Sequence, residues 1–597
     1  MLNLVDKVFD TDVLVVGSEG AGGEAAVHAK MVDPNLRVTI ATKGRMGKCG
    51  ATITCYYGDW DCDSRSIHEL LGLPGDPRDS PEKFFEDVIL GGKYINNQKL
   101  VEITVKEAPE TALELANWGV KWGFGGHAAP GHRHARGLYA VPTGISIVKA
   151  LKAQCVERGV ELVEDVMVLD LLTQGKRVVG ATAVDMRTGK FYVFKAKAVV
   201  MATGGGQKLY PYTTSPEELT GDGMVMAYRA GAELVDMEMI QFVPGPVWPQ
   251  WLIGIPALQM FGGHIGAWML NKHGERFLAK WDPERMEETT RDIWGLAIMT
   301  EILEGRAGPH GGIFYSYKHI PDNLIDYFAK YYPVPEWKYQ GFYYKDIVEK
   351  MKKGFAIELG VCSHFWMGGI KINERCETNL PGLFAAGETA GGVNGGNRLS
   401  GMALCEIGVW GRRAGKFAGE YALKAKPPEI NSKQVESSRE RAFQPLKRHE
   451  GISPIEVRKK IHKLAYEYVG PIRTEEGLKR VMTEIGRIRK EEIPMLYCTN
   501  KDLEFNKEWV EALQDDNLLT SLEVSVRSAL TRKESRGAHY RKDYPNTDNE
   551  NWLKNTVIKQ VEGEPIIDTK PVIITKITPP KGISHYLELL RKTIARV

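Results

Sequence analysis

The sequence has no long apolar run and almost no net charge. No stretch of about 18 or more consecutive apolar residues occurs in its 597 residues, so no membrane-spanning helix is predicted. The 78 Lys and Arg residues nearly balance the 76 Asp and Glu residues, and a net charge of +2 creates no field that would attract nucleic acid. The first residues lack the basic and apolar segments of a signal peptide. We therefore expect a cytoplasmic protein that is not inserted in a membrane, while attachment through a partner stays open.

Cysteine is scarce and does not show the spacing of a metal site. The chain has 8 cysteines and no C-x2-C pair, which argues against a zinc ribbon, a cysteine-ligated iron–sulfur cluster and a disulfide framework. Cys49, Cys55 and Cys62 are the only local group. Three thiols in an apolar, glycine-rich stretch are more typical of a core than of a metal site. The sequence therefore predicts no bound metal and a reducing compartment.

Glycine is abundant, with 63 residues, and it clusters where predicted strands end. An apolar strand at 12–16 precedes a glycine-rich loop at 17–23 and a helix, and a second strand follows at 37–42. Further strands near 197–206 and 383–397 also end in glycines. This order predicts an α/β fold in which one nucleotide-binding domain is assembled from separated segments.

The first loop, 17–22, is a modified dinucleotide fingerprint. It reads Gly-Ser-Glu-Gly-Ala-Gly, so Glu19 replaces the middle glycine that normally lets the backbone approach a pyrophosphate, and Gly20 could restore that approach. Residues 42–43, after the second strand, are Thr and Lys rather than the acidic residue that binds ribose in NAD proteins. This favours FAD over NAD, with Glu388 as the candidate ligand of a ribose hydroxyl.

Longer strings elsewhere in the chain are typical of one family. They are Val199-Val-Met-Ala-Thr-Gly-Gly-Gly206, Thr220-Gly-Asp-Gly223, Asp236-Met-Glu-Met-Ile-Gln-Phe-Val-Pro244 and Glu534-Ser-Arg-Gly-Ala-His-Tyr-Arg-Lys-Asp-Tyr-Pro545. With these strings in order, the chain closely resembles the flavoprotein subunit of succinate dehydrogenase and fumarate reductase from residue 10 to about 575. Aspartate oxidase and the α subunit of adenylylsulfate reductase are relatives of that family.

The resemblance implies a Rossmann-like FAD-binding domain, an inserted α+β capping domain and a C-terminal helical region. The predicted boundaries are 1–240 and 355–428 for the FAD-binding domain, 241–354 for the capping domain, 429–545 for the helical domain and 546–597 for a tail. The resemblance also implies electron exchange with a separate partner, often an iron–sulfur subunit. The charged helices from 430 to 545 are either the docking face for this partner or simply solvated helices.

The resemblance assigns FAD contacts to ten residues spread over the chain. They are Gly17, Gly20, Ala21, Gly22, Lys43, Thr203, Gly204, Asp222, Glu388 and Leu404. Many membrane-bound relatives attach the flavin covalently to a histidine in a Ser-His-Thr string. The corresponding region here, 48–54, reads Lys-Cys-Gly-Ala-Thr-Ile-Thr and has no histidine, so we predict a dissociable FAD.

Three residues match catalytic positions of the family. Arg291 corresponds to the arginine that exchanges a proton with the substrate, although taken alone it reads as a surface arginine paired with a neighbouring acid. His364 corresponds to a substrate-binding histidine, and the alternative is a buried structural histidine. Arg398 corresponds to the arginine that binds a substrate carboxylate, for which a planar guanidinium is well suited, and the alternative is packing on the flavin.

Other catalytic positions of the family are not kept. Val243 stands where relatives have a substrate histidine, and the Thr-Glu pair of relatives becomes Gln259 and Met260, with Gly263 in place of an arginine. Because an unpaired carboxylate in a dry pocket is costly, this favours a substrate with one carboxylate or carbonyl end and an apolar, uncharged or bulkier other end, rather than fumarate. Gln259 or His264 could replace the missing proton relay.

Four functions stay open at this point. The first is an FAD-dependent oxidoreductase that acts on a carbon–carbon bond next to a carboxylate or carbonyl. The second is a true fumarate reductase or succinate dehydrogenase subunit that binds the dicarboxylate differently, and the third is an enzyme similar to adenylylsulfate reductase. The fourth is a non-catalytic flavin relay, against which the retention of Arg291, His364 and Arg398 argues.

Overall fold

The computed structural model describes residues 5–55, 60–126, 128–254, 265–331 and 344–593. Its strands are β1 (Lys7–Val16), β2 (Val38–Ala41), β3 (Trp60–Asp61), β4 (Lys121–Phe124), β5 (Gly137–Val141), β6 (Glu161–Val163), β7 (Val166–Gln174), β8 (Arg177–Asp185), β9 (Phe191–Met201), β10 (Leu234–Val235), β11 (Ile240–Trp248), β12 (Trp268–Leu270), β13 (Ile313–Ser316), β14 (Glu358–Trp366), β15 (Gly369–Lys371), β16 (Leu383–Ala385), β17 (Ala390–Gly391), β18 (Ile472–Arg473), β19 (Tyr540–Arg541), β20 (Asn546–Asp548), β21 (Lys554–Val561), β22 (Glu564–Pro571) and β23 (Ile583–His585).

Helices alternate with these strands, as expected for an α/β protein. They are α1 (Gly20–Val32), α2 (Gly50–Thr54), α3 (Ser64–Leu71), α4 (Pro81–Gly91), α5 (Gln98–Asn117), α6 (Ile145–Glu157), α7 (Asp222–Arg229), α8 (Arg291–Leu303), α9 (Asp322–Tyr331), α10 (Tyr344–Lys352), α11 (Met402–Lys424), α12 (Ser432–Lys447), α13 (Pro454–Tyr468), α14 (Glu475–Arg487), α15 (Lys507–Thr531) and α16 (Tyr586–Lys592). Among the helices of the described ranges, none combines the length and the apolar character needed to span a membrane.

The largest sheet joins strands from distant parts of the chain. Its order is β6-β2-β1-β9-β8-β7, and β16 also pairs with β9. Strand β1 runs parallel to β2 and β9, and β16 runs parallel to β9, so the carboxyl ends of these four strands lie at one edge. The predicted assembly of one nucleotide-binding sheet from separated glycine-rich segments is confirmed. The buried strand β1 begins at Lys7, five residues before the predicted 12–16 strand.

A second, antiparallel sheet carries the order β11-β14-β13-β12, and helix α8 packs on β11 and β14. Strand β14 lies just past the predicted boundary at 354 and pairs with β11 along most of its length. This sheet therefore connects the predicted capping segment with the returning FAD-binding segment. The domain boundaries themselves stay a prediction.

The C-terminal region is helical up to α15 and then forms a hairpin. Helices α13 and α14 begin within two residues of their predicted starts, and Thr474 caps α14 by accepting a hydrogen bond from Gly477 N at 3.1 Å. The strands expected at 570–578 are misplaced. The hairpin is β21 and β22, which ends at Pro571 because proline has no N–H to donate to the ladder, and β21 pairs with β10.

Candidate cofactor and active site

A cavity of about 910 Å³ lies at the carboxyl ends of β1, β2, β9 and β16. Its lining comes from the residues that end these strands or follow them directly, including segments 16–21, 41–44 and 202–204. Ligands of parallel α/β sheets bind in this position, because the glycine-rich turns leave room there and helix N-termini face the ligand. The cavity therefore has the place and the walls that a dinucleotide requires.

Eight of the ten predicted FAD contacts line this cavity. They are Gly17, Gly20, Ala21, Lys43, Thr203, Gly204, Asp222 and Glu388. The other two have a different place. A Cβ on Gly22 would lie 2.0 Å from the carbonyl oxygen of Gly17, so Gly22 allows close packing of α1 on the turn before it. Leu404 is buried in α11, and Ile407 of the same helix lines the cavity instead.

Gly17 shows why this turn needs glycine. Its φ is +104°, and a Cβ would lie 2.1 Å from the carbonyl oxygen of Ala202. The turn after β1 therefore lies directly against the turn after β9, which a side chain would prevent. The FAD-binding walls depend on this backbone contact.

Glu19, the residue that breaks the fingerprint, is folded back into the cavity wall. Its Oε1 accepts hydrogen bonds from Gly47 N at 3.2 Å and from Cys49 Sγ at 3.4 Å. Burial raises the pKa of Glu19 to about 7. A carboxyl group that is partly neutral near pH 7 opposes a bound pyrophosphate less than an ionised one does, so the substitution is compatible with FAD.

Lys43 and Asp222 form an ion pair at the cavity wall. Lys43 Nζ lies 2.6 Å from Asp222 Oδ2 and donates to Thr220 Oγ1 at 2.7 Å, and Asn517 of α15 donates to Asp222 Oδ1 at 2.7 Å. Burial alone would raise the pKa of Asp222, but the Lys43 ammonium holds it below its ordinary value. The pair thereby joins β2, α7 and the C-terminal helix at the cavity.

Glu388 lies at the opposite wall, after β16. Its Oε1 accepts hydrogen bonds from Trp366 N at 2.8 Å and from the side-chain amide of Gln207. Burial raises the pKa of Glu388 to about 7. Together, the strand-end position, the glycine turns, the N-terminus of α1 and these polar side chains fit FAD.

The three predicted catalytic residues come together beside this cavity from distant segments. Arg291 is the first residue of α8, His364 lies in β14, and Arg398 lies in the loop before α11. Arg398 Nη2 lies 3.0 Å from His364 Nε2, and Arg291 Nη1 donates to the carbonyl oxygen of Arg398 at 3.4 Å. The predicted group thus exists as a cluster, while the role of each member stays a prediction.

A β-bulge positions His364. In the ladder between β11 and β14, Gln241 pairs with Phe365 and Phe242 pairs with Ser363, which leaves His364 without a partner residue in β11. Bulges redirect a side chain in this way and are frequent near active sites. The sequence alone shows no sign of this bulge.

His364 is held as a neutral ring. Burial lowers its pKa well below the ordinary value, and the charges of Arg398 and Arg291 lower it further. Its Nε2 accepts from Arg398 Nη2, so we assign the ring proton to Nδ1, which donates to Thr214 Oγ1 at 2.6 Å. The ring is therefore fixed in one tautomer.

Arg398 is fixed by contacts to its guanidinium and to its backbone. Nη1 donates to the carbonyl oxygen of Leu399 at 3.1 Å, and the guanidinium carbon lies 4.7 Å from the centre of the Phe365 ring. The backbone oxygen of Arg398 accepts from Gln241 Nε2 at 2.8 Å. The result is a preorganised cation in a buried pocket.

Val243 is buried two residues after Gln241, on the same face of β11, and it pairs with Cys362. Its position confirms an apolar wall on the face where Gln241 reaches the Arg398 loop. The candidate replacements Gln259 and His264, with Met260 and Gly263, lie outside the described residues.

A buried network supports the cluster and was missed by the sequence reasoning. Arg291 Nη2 donates to Ser400 Oγ at 3.3 Å, and the Ser400 carbonyl accepts from His132 Nε2 at 3.2 Å. His132 Nδ1 accepts from Arg136 Nη1 at 3.1 Å, and Arg136 is in turn held by Asp79 at 2.7 Å. No spacing in the sequence connects these residues with the 398–401 loop, so only the fold reveals them.

Comparison with known families and proteins is consistent with this site. The FAD binding domain family matches residues 12–404, and the family described as the fumarate reductase flavoprotein C-terminus matches residues 458–585. An uncharacterized FAD-dependent oxidoreductase of Methanocaldococcus jannaschii is 35% identical over 579 residues, which cover 92% of this chain and 96% of that protein.

Two further similarities concern proteins with a named activity. A subunit of the fumarate reductase (CoM/CoB) of Methanothermobacter marburgensis is 33% identical, over 93% of this chain and 98% of that protein. The structure of a variant of E. coli quinol fumarate reductase FrdA superposes with a TM-score of 0.82 at 27% identity, over 96% of this chain and 99% of that one.

Proposed function

This chain belongs to the fumarate reductase and succinate dehydrogenase family of FAD-dependent flavoprotein subunits, and on that premise we propose that it reduces or oxidises a carbon–carbon bond next to a carboxylate or carbonyl group. The observation that carries the proposal is the cluster of Arg291, His364 and Arg398 beside the FAD cavity. A flavin relay has no need of two arginines and a neutral histidine around one pocket. FAD, when bound, supplies hydride transfer at its N5.

Arg398 and His364 bind the activating carboxylate in this proposal. A guanidinium offers two parallel N–H groups to a carboxylate, and the contacts to Leu399 and Phe365 hold Arg398 in place before substrate arrives. His364 is neutral and adds no charge that would weaken the arginine's selectivity. The two side chains orient the substrate.

Arg291 exchanges a proton with the substrate carbon next to the one that exchanges the hydride. A free arginine is too weak an acid for this role, since its pKa exceeds about 12. The nearby charge of Arg398 and the hydroxyl of Ser400, which accepts from Arg291 Nη2 at 3.3 Å, favour release and return of a proton at Arg291. Ser400 and His132 hold the loop in position.

We further propose that the substrate has one carboxylate or carbonyl end and an apolar other end. The buried Val243 and Cys362 support this, because they offer no charge or strong donor to a second carboxylate. An unpaired carboxylate in such a place costs several kcal/mol. Fumarate is the second candidate, and the relative named as part of a fumarate reductase (CoM/CoB) favours it.

The FAD is proposed to be dissociable, and the electron partner is proposed to be an iron–sulfur subunit. The lining of the described cavity contains no histidine that could bond to the flavin. After acid precipitation, the flavin absorbance should stay in the supernatant. The purified chain should not oxidise NADH by itself, since no NAD-binding residues are predicted, and turnover driven by NADH would contradict the need for a partner.

A turnover assay tests the substrate class. The purified chain with FAD and reduced viologen is offered fumarate and, in parallel, monocarboxylic 2-enoates with alkyl or aryl tails. Reduction of a 2-enoate but not of fumarate supports the one-carboxylate pocket. Reduction of fumarate alone contradicts it and favours the second candidate, whereas inactivity with every acid, with FAD bound, favours a sulfur substrate or a relay.

A further inference from the structure

Glu24, His28 and Glu114 converge inside the protein, apart from the residues that line the FAD cavity. Glu24 and His28 lie one turn apart on α1, and Glu114 lies on α5. His28 Nε2 is 3.3 Å from Glu24 Oε2 and 3.2 Å from Glu114 Oε2. One ligand atom from each residue lies within 4.8 Å of the others.

This cluster is buried and poorly satisfied. Glu24 is 1% exposed and His28 is 7% exposed. Among the described residues, no donor makes a hydrogen bond to either carboxylate oxygen of Glu24 or to Oε2 of Glu114. A single ring nitrogen has one N–H at most, so it cannot satisfy both carboxylates, and unsatisfied buried carboxylates are strongly unfavourable.

The surroundings supply too little positive charge for the two carboxylates. Arg412 of α11 is the near cation, with its Nε 3.9 Å from Glu114 Oε2, and Arg158 acts on Glu114 from farther away. Burial raises the pKa of Glu24, and for His28 the two carboxylates raise the pKa against the effect of burial. The cluster therefore attracts a cation, whether a proton or a metal ion.

We propose that Glu24, His28 and Glu114 bind one divalent transition-metal ion, with Zn²⁺ as the best match. Two carboxylate oxygens and one imidazole nitrogen are an accepted Zn²⁺ ligand set, and a fourth position is left for water. A tetrahedron with bonds of about 2.0 Å has edges of about 3.3 Å, which agrees with the 3.2 and 3.3 Å separations around His28 Nε2. The sequence predicts no metal, because these ligands come from helices that are far apart in the chain.

The role of this ion is structural. Helix α1 begins at the FAD loop, and Glu24 lies one turn into it, so an ion would connect the FAD-binding helix with α5. Metal binding requires deprotonated ligands and therefore releases protons from His28 and Glu24 at neutral pH. The ion takes no part in the hydride transfer.

Metal content and thermal stability test the site without any activity measurement. Untagged protein is purified without chelator, and its metal is measured by mass spectrometry. The protein is then stripped with a chelator and titrated with Zn²⁺ and with Co²⁺, whose visible absorption reports a tetrahedral nitrogen and oxygen site. We expect about one equivalent of metal, proton release on binding at pH 7, and a rise in Tm of about 3 °C or more with saturating Zn²⁺.

Variants assign the ligands. Glu114→Gln, at the least buried ligand, and His28→Gln should lose the metal and the Zn²⁺-dependent rise in Tm. Glu107→Gln serves as the matched control, since Glu107 lies on the same helix and pairs with Arg413 rather than with a histidine. If the ligand variants fail to fold, the titration of the stripped wild type still decides the question.

Two outcomes overturn the proposal. One is a wild-type protein that binds neither Zn²⁺ nor Co²⁺ below about 100 µM and whose Tm does not respond to metal. The other is metal binding that Glu114→Gln and His28→Gln leave unchanged. Either result identifies the cluster as a proton-sharing group.

Discussion

The FAD cavity and the substrate pocket beside it are built in different ways. The cavity walls are mainly backbone at the ends of parallel strands, where Gly17 and Gly204 adopt positive φ angles. The pocket is made of side chains that α8, β14 and the 398–401 loop bring together. A backbone site tolerates a change such as Glu19 in its fingerprint, because the new side chain can fold into the wall. A side-chain site changes its substrate when one residue changes, as Val243 illustrates.

The largest expected effect is on the substrate side, from Arg291→Lys. The lysine cannot reach both the Arg398 carbonyl and Ser400 Oγ, and loss of a positioned acid typically costs about 10²- to 10⁴-fold in rate. We expect kcat on the best acid of the viologen assay to fall about 1,000-fold, with flavin content unchanged by absorbance. Arg306→Lys, which alters an arginine after the same helix, should keep full activity. A loss below tenfold in Arg291→Lys would remove the arginine from the proton transfer.

The next effect is that of Arg398→Gln on substrate binding. A charge-assisted hydrogen bond to a carboxylate contributes up to about 3 kcal/mol, so kcat/KM should fall roughly 100-fold, mainly through KM. The loss of the Arg398 charge should also raise the pKa of His364, although burial still holds it below its ordinary value. Steady-state kinetics from pH 5 to 8 measure both effects. An unchanged KM would assign Arg398 to flavin packing.

Val243→His should change substrate preference by a smaller factor. The histidine adds a donor to the apolar wall for a second carboxylate, so we expect fumarate turnover to rise about tenfold while turnover of an apolar 2-enoate falls. The ratio of the two kcat/KM values is the measurement. Val243→Leu is the matched control, since it changes size without polarity, and equal ratios in the two variants would contradict the one-carboxylate pocket.

The smallest expected effect is on the FAD side, from Glu19→Gln. Burial raises the pKa of Glu19 to about 7, so the carboxyl group ionises as the pH rises through 7 and then opposes the FAD phosphates. FAD affinity in the wild type should therefore fall between pH 6 and 8, by at most about tenfold per pH unit for one proton. The same ionisation makes the folded state less stable above pH 7 than below it, since the unfolded carboxyl is already ionised there.

Flavin fluorescence titrations at the two pH values measure this effect. In Glu19→Gln, the pH dependence should disappear and FAD should bind more tightly at pH 8. Glu164→Gln is the control, because Glu164 accepts from Met46 N near the same loop but does not line the cavity. If Glu164→Gln reproduces the effect, the titration belongs to the loop as a whole.

The sequence by itself determined the FAD-binding part of this protein. The apolar strand, the glycine turn and the following helix are local patterns, and the physical demands on Gly17 or Lys43 act within a few residues of a strand end. The catalytic trio was also identified in this way, through short strings around Arg291, His364 and Arg398.

Only the tertiary structure decided how these parts are held and what else they form. The bulge that turns His364 needs the register of two strands more than 100 residues apart, and His132 reaches the Ser400 carbonyl across 268 positions of sequence. Gly22 and Leu404, assigned to the cofactor, serve packing, and Ile407 takes the place at the cavity wall. Glu24, His28 and Glu114 meet only because α1 and α5 pack together, and the burial that results is what makes their charges seek a cation.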